Sequence, residues 1–440
     1  KIFDPFFPPY GNPGQRPLPF DYSPALKNAS LYIEDEIKGS LNFRPWSLIL
    51  GARYEMYTPQ SVNWGGFFNS DPFIESNNGS FLNPRFRFRF DFTDDTRVRL
   101  SWGKSSKMPP MTNIYQGPMY IDVVEENVSP PDSMPLVTTY IYNYDNTNLK
   151  GYQNSKAEVS LDNKLGPLAL ILTGFYDEST KSPRDRNDPL TIHRYRWENY
   201  PDPASRTVLD TIYTENDSGH GFFDPVGYYK KWGVEFQFLT KRIESLSTVF
   251  RVDGSFYKSR SGADGLYMST PRNNESLGRT IYPLYNYNEA WRQKAIVNYR
   301  ADWLIKKIGM WVTFHVQQTL FEKSRSVVDP VIYSSGYYDP LTRETVYISP
   351  EESKELGLDR VYDELDLAVR RVPNDRLLFN LNVSKSLGRG AEVSMFVHNF
   401  FDDPAFYVNE YGNYVQRNSD IFYGIEFSMI LDNFFRRGRE

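Results

Sequence analysis

An all-β fold, a transmembrane antiparallel β-barrel, is the class this sequence predicts, and three observations predict it. Runs of alternating apolar and polar residues come in pairs joined by short gaps, at 91–96, 164–167, 241–245, 304–308 and 387–390. The gaps between those pairs are far longer, at 58–82, 105–150, 179–226, 259–289 and 322–372. Aromatic residues make up 16% of the chain, mostly tyrosine and phenylalanine. Outer-membrane barrels join their strands by short periplasmic turns and longer extracellular loops, and carry aromatic girdles at both interfaces. A soluble sandwich has no reason to sort its turns by length.

Composition narrows the function classes. At 440 residues the chain suits one large barrel or a few soluble domains. Its lack of cysteine removes disulfide frameworks, thiolate metal sites and cysteine nucleophiles. The net charge of −5 comes without a basic block, which disfavours nucleic-acid binding. No apolar run approaches the ~20 residues of a spanning helix. The overall polarity fits a barrel all the same, because a spanning strand shows lipid only every second residue. Lys1 opens a Pro-, Gly- and Phe-rich stretch without the charged start and apolar core of a signal peptide.

About thirteen strands follow in order. Residues 1–27 hold too many prolines to pair in a sheet and read as a loop. The strands are expected at 29–38, 46–57, 83–92, 96–104, 152–163, 168–178, 228–241, 246–258, 289–303, 309–321, 374–386, 391–401 and 420–431. Most exceed the ~9–11 residues that cross the hydrocarbon when tilted. No segment shows a sustained helical period. The two-residue period assigns the faces. Trp232, Val234, Phe236 and Phe238 alternate with Gly233, Glu235 and Gln237; Ile421, Tyr423, Ile425, Phe427 and Met429 alternate with Gly424, Glu426 and Ser428. Leu377, Phe379, Leu381 and Val383 alternate with Asn380, Asn382 and Ser384. Trp291, Ala295, Val297, Tyr299 and Trp303 alternate with Arg292, Lys294, Asn298 and Arg300. The apolar set should meet lipid and the polar set a watery or plugged interior. Two strands are less clean: Asp35 is in phase with Leu31, Ile33 and Ile37, and 168–172 is apolar on both faces.

Particular residues then resemble the C-terminal part of TonB-dependent outer-membrane transporters. They are Gly51-Ala52-Arg53-Tyr54-Glu55, Asn83-Pro84-Arg85, and Leu100-Ser101-Trp102-Gly103-Lys104 followed by Pro109-Pro110. Val397-His398-Asn399-Phe400-Phe401-Asp402 and Tyr423-Gly424-Ile425-Glu426-Phe427 complete the set. The resemblance implies a 22-stranded barrel with an N-terminal plug. It makes 1–27 an extracellular loop, 28–431 the C-terminal portion of the barrel and 432–440 a tail. On that reading, the plug and about nine strands come from the rest of the polypeptide or from a partner chain. It also implies outer-membrane lipid around the wall, an inner-membrane energy complex acting through the plug, and room for a surface lipoprotein. The transported ligand would be a metal chelate, cobalamin or a glycan.

The candidate site residues are charged positions of the polar set and tyrosines of the long loops. Arg85, Arg87 and Arg89 alternate with phenylalanines beside Arg97 and Arg99. On a lipid face each would cost ~2–4 kcal/mol at the midplane, so they should point inward. They form either a basic wall for an anionic ligand or plug carboxylate, or an ordinary lining paired with acids. Glu235, Arg251, Arg292 and Arg300 carry the same two readings. Tyr140, Tyr142, Tyr144, Tyr285 and Tyr287 either stack on a ligand or pack together to order their loops. The histidines at 193, 220, 315 and 398 lack metal-ligand spacing, and 143–148 lacks the glycine and terminal glutamate of a calcium loop. No catalytic grouping stands out, and neither a cofactor nor a metal is expected. Two other classes compete: a passive porin or fatty-acid channel of about fourteen strands, and a surface glycan-binding β protein. The first needs one more strand near 1–27, where Pro5, Pro8, Pro9, Pro13, Pro17 and Pro19 oppose it. The second needs the apolar faces to meet in a core, so solubility without detergent would support it.

Overall fold

Thirteen long antiparallel strands, each paired with the next in sequence, form one sheet. The computed structural model describes residues 27–62, 74–124, 137–143, 145–187, 190–198, 207–216, 221–372, 377–388, 390–402, 406–409, 412–416 and 420–430. The wall strands are β1 (Asn28–Leu41), β2 (Arg44–Tyr57), β3 (Ser80–Asp91), β4 (Thr96–Lys107), β5 (Tyr152–Leu165), β6 (Leu168–Asn187) and β7 (Gly221–Thr240). They continue as β8 (Thr248–Ala263), β9 (Glu289–Ile305), β10 (Met310–Val327), β11 (Leu377–Gly388), β12 (Ala391–His398) and β13 (Phe422–Met429). A fourteenth, short strand, Arg370–Val372, pairs with β10 above β11. The expected tail 432–440 lies outside the described residues, as does the expected loop 1–27 apart from Lys27.

Every turn between β1 and β2, β3 and β4, β5 and β6, β7 and β8, β9 and β10, and β11 and β12 is short. They all lie at one end of the sheet. Asn42 and Phe43 make a two-residue turn with φ of 49° and 63°, the positive pair a tight hairpin needs to match strand twist. Gly309, at φ 60°, ends the 3₁₀ turn Lys306–Ile308 before β10 begins.

The strands extend beyond the expected ends at the long-loop side. β6 runs to Asn187, β7 starts at Gly221, β8 reaches Ala263 and β10 reaches Val327. Apolar alternation stops where a strand leaves the hydrocarbon, but hydrogen bonding does not. Pro183 and Pro225 are accommodated at register shifts between β6 and β7, where a missing donor disturbs the ladder least. In the other direction, β12 ends at His398 rather than at 401.

The long gaps also carry structure of their own. Pro118–Val124 pairs with Val137–Asn143, and Leu190–Glu198 with Thr207–Asn216. Helices Met111–Ile114, Pro350–Glu355 and Glu364–Leu367 are too short to leave a period in the sequence. The loops after β8 and β10 build a small module in which Leu266–Met268, Arg272–Asn274, Arg279–Asn286, Gly336–Asp339 and Glu344–Tyr347 form one sheet. Ile281, Tyr337 and Leu358 are its buried core, with Leu277, Ile348 and Leu356 packed against them. Helix Pro350–Glu355 is fixed by a capping box between Ser349 and Glu352 with proline at its start. Asp339, 1% exposed, is held by Arg279 at 2.9 Å.

Candidate functional site: the polar face of the wall

Cross-strand register sorts the side chains of the wall into two sets. Phe86, Phe88 and Phe90 lie opposite Trp102, Leu100 and Val98, whereas Arg85, Arg87, Arg89 and Asp91 lie opposite Gly103, Ser101, Arg99 and Arg97. The polar set continues as Ser160, Thr173, Glu235 and Ser255 across β5 to β8. Asp35 falls opposite Leu50 on the apolar set, as its phase requires.

The structure brings the five arginines of β3 and β4 into one patch and surrounds them with acids. Arg89 places Nη2 2.7 Å from Asp91, whose other oxygen accepts from Arg97 Nε at 2.7 Å. Arg99 reaches Asp162 at 2.7 Å, and Arg85 lies 3.8 Å from Glu34. Among the described residues Arg87 alone of the five has no ion pair. All five side chains keep much of their surface open, so each pair carries little stability. What the acids change is the field: four of the five arginines are paired, but by three carboxylates, since Asp91 serves both Arg89 and Arg97.

The other charged candidates belong to a second region, on β7 to β12. Arg251 and Arg300 are direct cross-strand partners, and Arg300 is drawn to Asp302 at 2.9 Å. They line a cavity of about 470 Å³ with Asp253, His315, Asn380 and His398. Asn380 links the two histidines: its Nδ2 donates to His315 Nδ1 at 3.1 Å, and its Oδ1 accepts from His398 Nδ1 at 3.3 Å. Histidines far apart in sequence therefore meet on one face. Among the described residues no group of three metal-binding side chains occurs. Glu235 borders a neighbouring cavity of about 510 Å³ with Gln237, Asp253, Asn298 and Gln317. Arg292 pairs with Glu322, which also holds Lys294 at 2.9 Å.

The tyrosines divide. Tyr285 has 0% of its surface exposed; its hydroxyl donates to the Leu358 carbonyl at 2.8 Å and the Arg360 guanidinium lies 4.3 Å over its ring. It is a packing residue with no surface left for a ligand. Tyr287 lines an open groove, packs at a tilt against Tyr267 with ring centroids 5.3 Å apart, and donates to the Asp185 carbonyl at 3.3 Å. Burial pushes the phenols of Tyr285 and Tyr287 up, so both are neutral donors at neutral pH. Tyr140 and Tyr142 lie in strand Val137–Asn143, and Tyr144 lies outside the described residues.

Sequence reasoning missed Glu34, Asp162 and Glu322 as partners, and missed the Asn380 bridge. Asp91 was within reach: a short turn at 92–95 already sets it opposite Arg97.

A family model described as TonB dependent receptor-like, beta-barrel matches residues 2–304. A comparison with curated proteins gave no match. Among solved structures, the siderophore receptor PirA from Acinetobacter baumannii is similar at a TM-score of 0.39 and 12% identity, over 86% of this chain and 51% of that one. A mutant of the ferric enterobactin receptor PfeA from Pseudomonas aeruginosa gives 0.43 and 10%, over 92% and 54%. The ferric-catecholate import receptor Fiu from E. coli K12, in its open form, gives 0.23 and 10%, over 92% and 74%. The chain spans about half the length of the first two. With a two-faced antiparallel wall and a family model that covers most of its length, the chain belongs to the TonB-dependent receptor-like β-barrel family.

Proposed function

We propose that the chain forms part of the wall of a TonB-dependent transporter in the bacterial outer membrane. The transporter takes up a scarce ligand of the metal-chelate, cobalamin or glycan class. The apolar face meets lipid, since hydrocarbon tolerates neither bare backbone groups nor unpaired charge. The polar face lines the interior and meets a plug, supplied by the same polypeptide or a partner chain, on which an inner-membrane energy complex acts. The observation that carries this reading is the continuous two-faced sheet with its short turns at one end, in a chain matched by the family model. Residues 1–27 then belong to an extracellular loop, and a surface lipoprotein over the long loops is compatible with the arrangement.

Energy dependence separates this reading from a passive channel. Cells carrying the full-length receptor are expected to accumulate one ligand from a labelled panel of metal chelates, cobalamin and oligosaccharides. Collapsing the proton gradient should cut accumulation to the level of cells without the receptor. Accumulation that continues at the same rate would replace the transporter with a pore.

Arg87 supplies a residue-level check. Being unpaired, it can attract an anionic ligand or a plug carboxylate, and an inward field of this kind alters capture several-fold. Arg87→Gln should lower uptake of an anionic ligand by that order with heat-modifiable assembly unchanged. Arg89→Gln should do less, because Asp91 keeps Arg97. Loss of assembly with normal uptake per surviving molecule would make the stripe structural.

A further inference from the structure

The apolar face changes character abruptly toward the long loops. Across β6 to β9, Leu172, Phe236, Gly254 and Val297 form one row. Gly174, Val234, Phe256, Ala295 and Phe321 form the next, which extends onto β10. Two residues further along each strand the row reads Tyr176, Trp232, Lys258, Gln293 and Lys323. The row after that reads Glu178, Lys230, Arg260, Trp291 and Arg325. Five cations thus stand on the outward face immediately beyond the apolar rows, interleaved with two tryptophans and a tyrosine.

Acids balance only two of them. Glu178 holds Lys230 at 3.3 Å and Glu289 holds Arg260 at 3.4 Å. Among the described residues Lys258, Lys323 and Arg325 have no ion pair. Lys258 lies 5.9 Å and 5.8 Å from the rings of Trp232 and Trp291, and Lys323 lies 5.6 Å from the ring of Phe321. A cation on the outer surface of a barrel is costly at the midplane and nearly free at the interface. Tryptophan and tyrosine collect at the same level, where one end of the ring is dry and the other wet. These rows therefore mark the upper boundary of the hydrocarbon.

A groove of about 840 Å³ lies over the upper row, between the wall and the loop after β10. The wall contributes Lys258, Arg260, Trp291 and Arg325; the loop contributes Tyr333 and Ser335 among others, and among the described residues Asp329 is the one acid lining it. A concave site with three cations, hydroxyl groups and an indole beside an apolar surface suits an anion attached to an apolar body. Arginine binds phosphate through a planar fork of donors and lysine as a point charge.

We propose that this groove binds a phosphate group on the headgroup of an outer-leaflet glycolipid, with Arg325 and Lys258 as its direct ligands and Lys323 beside it. The acyl chains of that lipid then lie along Phe256, Val234 and Phe321. The proposal rests on the reading that the apolar face meets lipid, and is independent of what the transporter carries.

Binding of lipid A to the delipidated full-length receptor, followed by native mass spectrometry, tests it. A basic residue at a charged membrane surface contributes about five-fold, so Lys258→Gln, Lys323→Gln and Arg325→Gln together should weaken binding of bisphosphorylated lipid A roughly a hundred-fold. Dephosphorylated lipid A should bind wild type and variant alike. The exchange Lys258→Arg, Lys323→Arg and Arg325→Lys should keep most of the binding. If the triple variant does not assemble, Arg325→Gln alone decides, with a loss of about five-fold. Unchanged binding in an assembled variant overturns the site. Displacement of the lipid by millimolar inorganic phosphate would make it a soluble-anion site, and loss of an acidic protein in place of lipid would make it a protein interface. Failure of the underlying reading shows separately: Phe236→Cys would then react with water-soluble reagents.

Discussion

Tyr285→Ala is expected to unfold the module formed by the loops after β8 and β10 while leaving the barrel wall assembled. The ring is fully buried, packed under Arg360 and 6.0 Å from Tyr267. Arg360 in turn donates to the Tyr267 hydroxyl at 3.0 Å and to Ser269. Removing the ring leaves a cavity and frees Arg360, and truncation of a buried aromatic costs about 3–5 kcal/mol. A module with so small a core does not hold that much in reserve. Tyr285→Phe keeps the volume but leaves the buried Leu358 carbonyl without its donor, a loss of about 1–3 kcal/mol. Hydrogen exchange and limited proteolysis should show 264–288 and 328–369 opening fully in the alanine variant and partly in the phenylalanine variant. Heat-modifiable migration, which reports the wall, should not change. A protease-resistant module in Tyr285→Ala would mean that its order comes from elsewhere.

The wall and the module differ in how far they can be read from the sequence, and the difference is physical. Thirteen strands were legible because hydrocarbon on one side and water on the other force a two-residue period, as at Trp232–Phe238 and Leu377–Val383. Above the membrane that demand lapses, so the polar stretch of β6 beyond Glu178, Pro183 included, read as part of the long gap 179–226. The pairing of Arg97 with Asp91 follows from one short turn. That of Arg99 with Asp162 needs β4 to meet β5 across a long loop, which alternation alone does not specify in detail. The module was illegible because its core joins residues of two loops: Ile281 from one, Tyr337 and Leu358 from the other. Tyrosine-rich composition hinted at packing without naming partners. Tyr285 is fully buried, and Tyr287 keeps an open edge.

One residue's offset along β7 should separate a damaging charge from a harmless one. Phe236 and Gln237 are neighbours on opposite faces of the wall. Phe236 lies across from Leu172 and Gly254, in an apolar row between the cationic rows and the short turns. Gly254 has no side chain to obstruct it: a Cβ there would come within 2.7 Å of the Phe236 ring. An arginine at this depth on the lipid face costs about 2–4 kcal/mol. Gln237 lies across from Asp253, so Gln237→Arg adds a cation beside an acid in a watery interior and should change stability by less than about 1 kcal/mol. Denaturant unfolding of the full-length receptor in bilayers, followed by tryptophan fluorescence, should therefore separate Phe236→Arg from Gln237→Arg by at least about 1–2 kcal/mol. The order follows from the side-chain period, since moving by one residue moves a side chain from one solvent to the other. Equal losses would show that both faces meet the same environment, and the wall would then not be a membrane barrel.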